Sequence, residues 1–359
     1  MNYSLESLNV GQTWQCLYDS LPAIIKSPFF SPDYYHSCHI KSDETVECFY
    51  IVKDEENYLF YPFIRKALSA LGYELDGEYY DIAGAYGYNG IIGVASDHEF
   101  VKKYNQELQE YLHSTKVVTE FVRYCPITEN RRFHTYTQQI DVLDNVYIDL
   151  RKSLDSVWND SFGRRVRTAV RKGESYGLRT VVKTGDMVED SDLDSFMGIY
   201  TSTMDRNAAD SFYFFNRDFF RGLFNNMGKK SLLVLTYLDE LAITTELLMI
   251  DGEIAFGFLG GTLGDYYQYK ANTFQRWELI KYLYGKGFKK YSMGGGASRG
   301  DGIYDYKMSF AKGCVNPFFI GTKVHLPDVY AQIRRKWQEK YPKASELHGN
   351  KLQGYRIQL

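Results

Sequence analysis

The sequence predicts an α/β (α+β) fold of two consecutive domains, each a mixed, mostly antiparallel sheet flanked by helices. Three observations carry that expectation. The chain has 359 residues, against domains of roughly 100 to 200. Its 44% apolar and 24% charged residues, with 32 Tyr and 23 Phe, suffice for a sizeable core. Strand-like and helix-like stretches alternate, and after Ser153 a comparable order of elements begins again.

In chain order, a helix is expected around Val10 to Ile25, then a short one for which Ser31 is the cap and Pro32 the first residue. Val46 to Val52 and Tyr58 to Ile64 read as a hairpin around the charged turn KDEEN. Tyr79 to Val94, YYDIAGAYGYNGIIGV, reads as a strand entering a glycine-punctuated loop and leaving it. Phe100 to Ser114 has helical period, and Val117 to Tyr124 and Thr135 to Asp144 read as strands.

In the second half, Phe162 to Gly177 predicts a short basic helix with Arg164, Arg165, Arg167, Arg171 and Lys172. A strand at Leu178 to Val182 and helices at Asp190 to Asp205 and Arg217 to Met227 follow. Strands are expected at Leu232 to Leu238, Ala242 to Ile250, Glu253 to Leu263 and near Tyr266 to Ala271. A helix at Arg276 to Gly287 and a strand at Lys290 to Met293 close the unit. Tyr304, Tyr306, Met308 and Phe310 alternate as a buried strand does. The tail after Pro327 reads as a polar, basic surface helix or loosely held end. The expected division is 1–150, 151–330 and a tail at 331–359.

Composition narrows the function. A net charge of −3 gives no overall pull toward nucleic acid, so DNA is not an expected partner. No apolar run reaches the length of a membrane helix and the first residues lack a secretory signal, so a cytoplasmic chain is expected, with peripheral membrane contact left open. Five cysteines without a paired motif predict reduced thiols and no metal centre. There is no GxSxG elbow, no HExxH and no nucleotide-fold glycine signature, and His134 and His325 read as structural residues.

Three segments stand out for chemistry. IYTSTMDRNAADSFYFF (Ile199–Phe215) leaves a helix through Asp205, Arg206 and Asn207 toward Tyr213, and a guanidinium there can hold a phosphate or carboxylate. GFLGGTLGDYYQYKAN (Gly257–Asn272) carries glycines inside a strand, which suits close approach of a ligand or backbone, followed by Tyr267, Tyr269 and Asn272. YSMGGGASRGDGIYDYKMSFAKG (Tyr291–Gly313) sets Gly294, Gly295 and Gly296 beside Asp301, Asp305 and Lys307, and bare amides in such a loop can cradle phosphate.

These segments, with FFSPDYYHSC, YYDIAGAYGYNGIIG and RRVRTAVRKGESYGL before them, resemble in order the FemAB-type and GNAT-like acyltransferases of envelope polysaccharide and peptidoglycan biosynthesis, a group that includes the BioF2-like acetyltransferase domains. The resemblance spans roughly Pro28 to Tyr330 and implies two tandem GNAT-like domains, the second carrying most of the site and the YGY loop bounding it. It implies direct attack by an acceptor amine or hydroxyl on an acyl thioester or aminoacyl ester.

On that resemblance, Tyr86, Tyr88, Asp205, Arg206, Asn207 and Tyr213 bind the acceptor, a small-molecule or lipid-linked sugar. Tyr267, Tyr269 and Asn272 line the transfer channel, Lys307 contacts phosphate, and Asp301 or Asp305 accepts the proton. Free amides of the strand after the Gly264–Asp265 turn are expected to bind the acyl carbonyl. The donor is acetyl-CoA or another acyl-CoA, touching Gln275, Arg276 and the three glycines 294–296.

One feature departs from the standard GNAT pattern. ANTFQRWELIKYLYGKG has Gln275 and Arg276 but lacks the glycines that grip the pyrophosphate of acyl-CoA. The helical-hairpin arm of some tRNA users is not evident either, which favours a small acyl donor. Two alternatives stand beside this reading: aminoacyl-tRNA-dependent transfer to a peptidoglycan precursor, with tRNA held by the basic helix, and a non-catalytic binding module. The sequence does not set the oligomeric state.

Overall fold

A computed structural model describes residues 3–38 and 40–358. The first half runs β1 (Ser4–Ser7), α1 (Gln12–Asp19), α2 (Pro32–Ser37), β2 (Glu44–Asp54), β3 (Asn57–Ala67), β4 (Tyr80–Ala83), β5 (Ile92–Ala95), α3 (His98–Ser114), β6 (Val117–Arg123) and β7 (Gln138–Asp149). The single turn α4 (Leu154–Ser156) leads to α5 (Arg164–Ser175), β8 (Arg179–Thr184), α6 (Asp190–Arg206), α7 (Arg217–Met227), β9 (Ser231–Leu238), β10 (Leu241–Asp251) and β11 (Ile254–Thr262). Then come α8 (Ala271–Gly285), β12 (Lys290–Gly294), α9 (Gly302–Met308), β13 (Val315–Val324), α10 (Pro327–Lys340) and α11 (Pro342–His348).

All the strands join one mixed, mostly antiparallel sheet in the order β1-β2-β3-β4-β6-β13-β7-β12-β11-β10-β9-β8, with β5 on β3. Among the described residues only β4–β6 and β11–β12 are parallel. Each parallel pair is bridged by one helix, α3 or α8, after an antiparallel run, so the two halves repeat one topology that no sequence repeat reveals. The halves also exchange strands: β7 pairs with β12, and β13 returns to lie between β6 and β7.

Local chemistry explains the boundaries. Ser31 caps α2, its hydroxyl accepting from the Tyr34 amide at 3.2 Å, with Pro32 at the first helical position. Helix α1 stops at Asp19, short of Ile25, because Pro22 disfavours helical geometry in the residue before it. In the second half, Leu233, Leu235, Leu247, Met249 and Phe256 pack with α6 and α7, while Leu232, Val234, Leu248, Ala255 and Tyr291 pack with α5 and α8. That period-two split is what a sheet buried on both faces requires.

The structure corrects three expectations. Tyr266 to Ala271 is no strand: the chain makes a 3₁₀ turn over Gly264–Tyr269, and α8 already starts at Ala271. Tyr266 and Tyr269, three apart, share one side of that turn with rings 6.0 Å apart, a spacing strands do not use. Tyr304 to Phe310 is likewise helical at its start, because Asp301 caps α9 by accepting from the Tyr304 amide at 2.8 Å. Tyr306 and Phe310, an i,i+4 pair, pack edge to face with ring centres 5.1 Å apart. The tail is a surface helix but not a loose one. Ile333 and Trp337 are fully buried, and Tyr355 and Arg356 close on the buried Asp81.

Candidate active site

Strand β11 pairs with β12 only over Ile254–Phe256, against Lys290–Ser292. Beyond Phe256 the two strands part, and the register of β11 against β10 slips between Leu247 and Leu248, leaving Phe258 as a bulged residue. The resulting splay opens the β12-facing edge of Gly257–Thr262. The open edge thus belongs to the strand before the Gly264–Asp265 turn, because the segment after that turn is the 3₁₀ turn and α8. A cavity of about 270 Å³ fills the splay.

Its floor is charged. Glu246 on β10, only 8% exposed, pairs with Arg276 of α8 at 3.2 Å and accepts a hydrogen bond from the Tyr291 hydroxyl. The Arg276 Nη1 donates to Tyr291 Oη at 2.8 Å. Burial opposes the charge on Arg276, yet Glu246 and the flanking tyrosines hold its pKa above the usual guanidinium value. Lys307, on α9, donates to the Gly295 carbonyl at 2.6 Å. Burial, with Arg276 nearby, pulls the Lys307 ammonium down to about 8.

Of the residues singled out in the sequence, Asn272, Gln275, Arg276 and Lys307 line this cavity together. The Gln275 amide points inward, donating to Thr236 Oγ1 and the Thr244 carbonyl, each at 3.1 Å. Asp301 accepts from the amides of Ala297, Ser298 and Tyr304, which hold its carboxyl below the usual range. Two amides of the glycine loop are thereby occupied, while Asp305 is exposed. Gly294 takes a left-handed φ of 72°, Gly295 supplies the carbonyl to Lys307, and a Cβ on Gly296 would overlap Asp301. In β11, a Cβ on Gly257 would lie 2.8 Å from Glu246 Oε1, and one on Gly261 would overlap Thr203 of α6. Those glycines admit protein neighbours.

Arg206 and Tyr267 meet outside the splay, the guanidinium 5.1 Å over the ring. Asp205 and Asn207 are exposed beside them, and Tyr269 packs edge to face against Tyr176 at 4.9 Å. Tyr86 and Tyr213 face a second, larger cavity of about 970 Å³ between the YGY loop, α2 and α7. Its wall is aromatic; Lys41, Lys66 and Arg123 bring positive charge, while Glu44, paired with Lys66 at 3.4 Å, and Asp218 bring negative charge. Tyr88 lies deeper, its hydroxyl accepting from Asn145 Nδ2 at 2.7 Å. The two cavities approach at Phe258, which lines the splay and sits 5.3 Å from the Tyr86 ring.

Sequence reading missed Glu246, Tyr291 and Tyr306. The available signal for Glu246 was a lone carboxylate in the strand LAITTELLMI, which a buried face tolerates only with a partner. His134 and His325 line neither cavity; they flank buried Glu120, whose carboxylate they hold down at about 2 despite burial. Among the described residues no group of His, Cys, Asp and Glu could hold a metal ion, and no helix is long and apolar enough to cross a membrane.

Residues 160–308 match the family model of the acetyltransferase (GNAT) domain. No curated protein matches the chain. Among solved structures, FemX is similar over 92% of this chain and 99% of its own, with a TM-score of 0.66 at 12% identity. A tandem GNAT protein from the clavulanic acid biosynthesis pathway is similar over 91% and 99%, with a TM-score of 0.50 at 7% identity. The C-terminal domain of a protein assigned as a lysylphosphatidylglycerol synthetase, from Agrobacterium fabrum, is similar over 78% and 84%, at 0.50 and 12%. At such identities these likenesses speak for fold. The match over residues 160–308 supports an acyltransferase, and the fold is GNAT-like and similar to that of FemX.

Proposed function

We propose that the protein moves an acetyl group from acetyl-CoA to an amino or hydroxyl group of a nucleotide- or lipid-linked sugar used in envelope polysaccharide biosynthesis. The observation that carries this reading is the pair of cavities on either side of Phe258, which lines the splay while its ring packs 5.3 Å from Tyr86 on the wall of the larger one. The splay suits an acyl group, since an unpaired strand edge and buried cations favour a carbonyl that gains negative charge. The larger cavity has aromatic walls that suit a sugar, and the cations Lys41 and Arg123, not ion-paired to a carboxylate among the described residues, suit a phosphate on it. The acceptor would reach the acyl carbon past Phe258, with Arg206 and Tyr213 at the outer rim.

Lys307 is the group best suited to take the acceptor's proton, because its pKa near 8 leaves a share of neutral amine at ordinary pH. Asp301 is already saturated by backbone amides, which makes it a weak base. The test is thiol release from acetyl-CoA with a pool of nucleotide sugars. Release that depends on the pool and falls in Lys307→Ala supports the reading; release that ignores the pool removes the acceptor assignment.

A second reading, an aminoacyl ester as donor, draws on two observations. Helix α8 starts without glycines, after Lys270 at a φ of 60°, and no side chain caps it. Helix α5 exposes Arg164, Arg165, Arg171 and Lys172. A gel shift with charged tRNA at low salt separates the donors, since phosphate contacts weaken steeply with salt.

A further inference from the structure

Two exposed groups on the wall of the larger cavity are held in place by the fold. The first is Arg123, the last residue of β6. Its N–H donates to Asn89 Oδ1 at 2.7 Å, and its carbonyl accepts from the Asn89 amide at 2.9 Å, which fixes the backbone there. Its Nε–H donates to the Gly87 carbonyl at 2.9 Å, and the guanidinium lies over the Phe318 ring at 5.0 Å. Gly87 permits that approach through a left-handed φ of 113°, at which a Cβ would overlap Phe29. The stem of Arg123 is thereby oriented, while its two terminal nitrogens have no hydrogen bond or ion pair among the described residues. A guanidinium fork presented in this way suits a phosphate.

The second group is Phe212, 57% exposed on the turn between α6 and α7. Asp210 accepts from the Phe212 amide at 2.9 Å, and the Tyr200 hydroxyl donates to the Tyr213 carbonyl at 2.6 Å, so the turn is pinned. Tyr86, Tyr213 and Phe215 meet the Phe212 ring at 59°, 82° and 71°, and none of them lies parallel on it. An apolar ring left open at a cavity mouth suits the C–H face of a sugar or the face of a base. Tyr86 stands between the two groups. Its ring is 5.6 Å from Phe212, and burial raises its phenol to about 12 while nearby Arg123 acts the other way. Tyr86 also packs 5.3 Å from Phe258, so a unit seated on Phe212 is close to the splay. In a sugar acceptor the unit nearest the acyl group is the sugar itself.

We infer that Phe212 and Arg123 form a subsite for the glycosyl phosphate of the acceptor, with the pyranose on the Phe212 ring and its phosphate on the Arg123 fork. The inference rests on the proposed reading of the larger cavity as the acceptor site, and it names the unit recognised there. A sugar with its first phosphate is common to nucleotide-linked and lipid-linked acceptors, so the same two residues serve either carrier.

The test is saturation-transfer difference NMR on the intact protein, with affinities from the same titrations. Two probes are used: uridine diphosphate glucosamine, and glucosamine joined through a diphosphate to a farnesyl chain. In the wild type the transfer is strongest on the pyranose ring protons. Phe212→Ala weakens that transfer and raises Kd by about 2–10-fold, whereas Phe212→Trp keeps both near wild type. Arg123→Gln raises Kd by about 10–100-fold. Both positions are exposed, so the three variants melt close to the wild type. Binding of one probe alone, with these losses, identifies the carrier and upholds the subsite. Transfer centred on the uracil or farnesyl protons, or a Kd unchanged in Phe212→Ala or in Arg123→Gln, overturns the inference and leaves the cavity as the acceptor site. Binding of neither probe overturns it together with the reading beneath it.

Discussion

Replacing Glu246 by Gln keeps the side chain's shape and its place beside the Tyr291 hydroxyl but removes its charge, leaving Arg276 without a counter-ion. The pair is 3.2 Å apart with side chains only 13% and 11% exposed, so solvent screens it little. Coulomb's law at an effective dielectric of about 20 gives roughly 5 kcal/mol for that separation. Breaking one half of a buried pair costs about 3–5 kcal/mol, because the remaining charge is uncompensated. For a chain of 359 residues unfolding as one unit the shift is roughly 1.3 °C per kcal/mol, so Glu246→Gln should melt about 4–7 °C lower by circular dichroism or differential scanning fluorimetry. Removing both charges in Glu246→Gln with Arg276→Met should restore much of the loss, since a buried pair is often replaceable by apolar groups at small cost. A Glu246→Gln protein within about 1 kcal/mol of wild type would refute the coupling.

Turnover should rise with pH through an apparent value of about 8 as Lys307 loses its proton, and a pH–rate profile flat across that region contradicts the proton-acceptor role. The same group affects stability with a definite sign. Its folded pKa lies below that of an unfolded lysine, so protons bind the unfolded chain more readily, and stability should increase as pH rises from about 8 toward 10. In Arg356→Ala the buried Asp81 loses its cation at 2.7 Å but keeps the hydroxyls of Tyr355 and Thr119. Chemical denaturation should register a loss of about 3 kcal/mol. Arg206→Ala should raise the KM for the acceptor severalfold and leave the melting temperature unchanged, because the exposed guanidinium is only stacked on Tyr267; unchanged acceptor kinetics removes Arg206 from the acceptor's path.

Much of the fold was legible because its signals are local. The hairpin of β2 and β3 announced itself through two apolar runs around KDEEN, and α3, α6 and α7 through their helical period. The errors arose where short-range pattern was ambiguous. Aromatic residues spaced by two and three looked alike around Tyr266 and Tyr306, and only the Asp301 cap and the 3₁₀ turn decide those segments. Strand β13 went unread because its place between β6 and β7 is set by pairing with residues more than 150 positions away. The helix of the tail is legible from its charges, but its anchoring is not, because Trp337 packs against residues of the first half of the chain such as Leu68, Tyr73 and Val118.

The site divides along the same line. Asn272, Arg276 and Lys307 could be suspected from polar residues beside glycines and aromatics, and the structure brings them to one cavity. The partner that makes Arg276 tolerable, Glu246, is hidden in an apolar strand until β10, α8 and β12 are assembled. The glycines of 294–296 suggest a phosphate cradle, and just after them Asp301 takes the amides of Ala297 and Ser298, which narrows the loop to the amides that precede those two.

The central claim is that acyl transfer occurs in the splay between β11 and β12. Its most direct test is a crystal structure of the protein with a hydrolysis-resistant acyl-CoA analogue, together with one carrying a non-hydrolysable aminoacyl-adenosine. The account predicts the acyl carbonyl of whichever donor binds along the Gly257–Thr262 edge, within reach of Arg276, Tyr306 and Lys307. An acyl group seated elsewhere, with the splay still empty of it, would contradict the account.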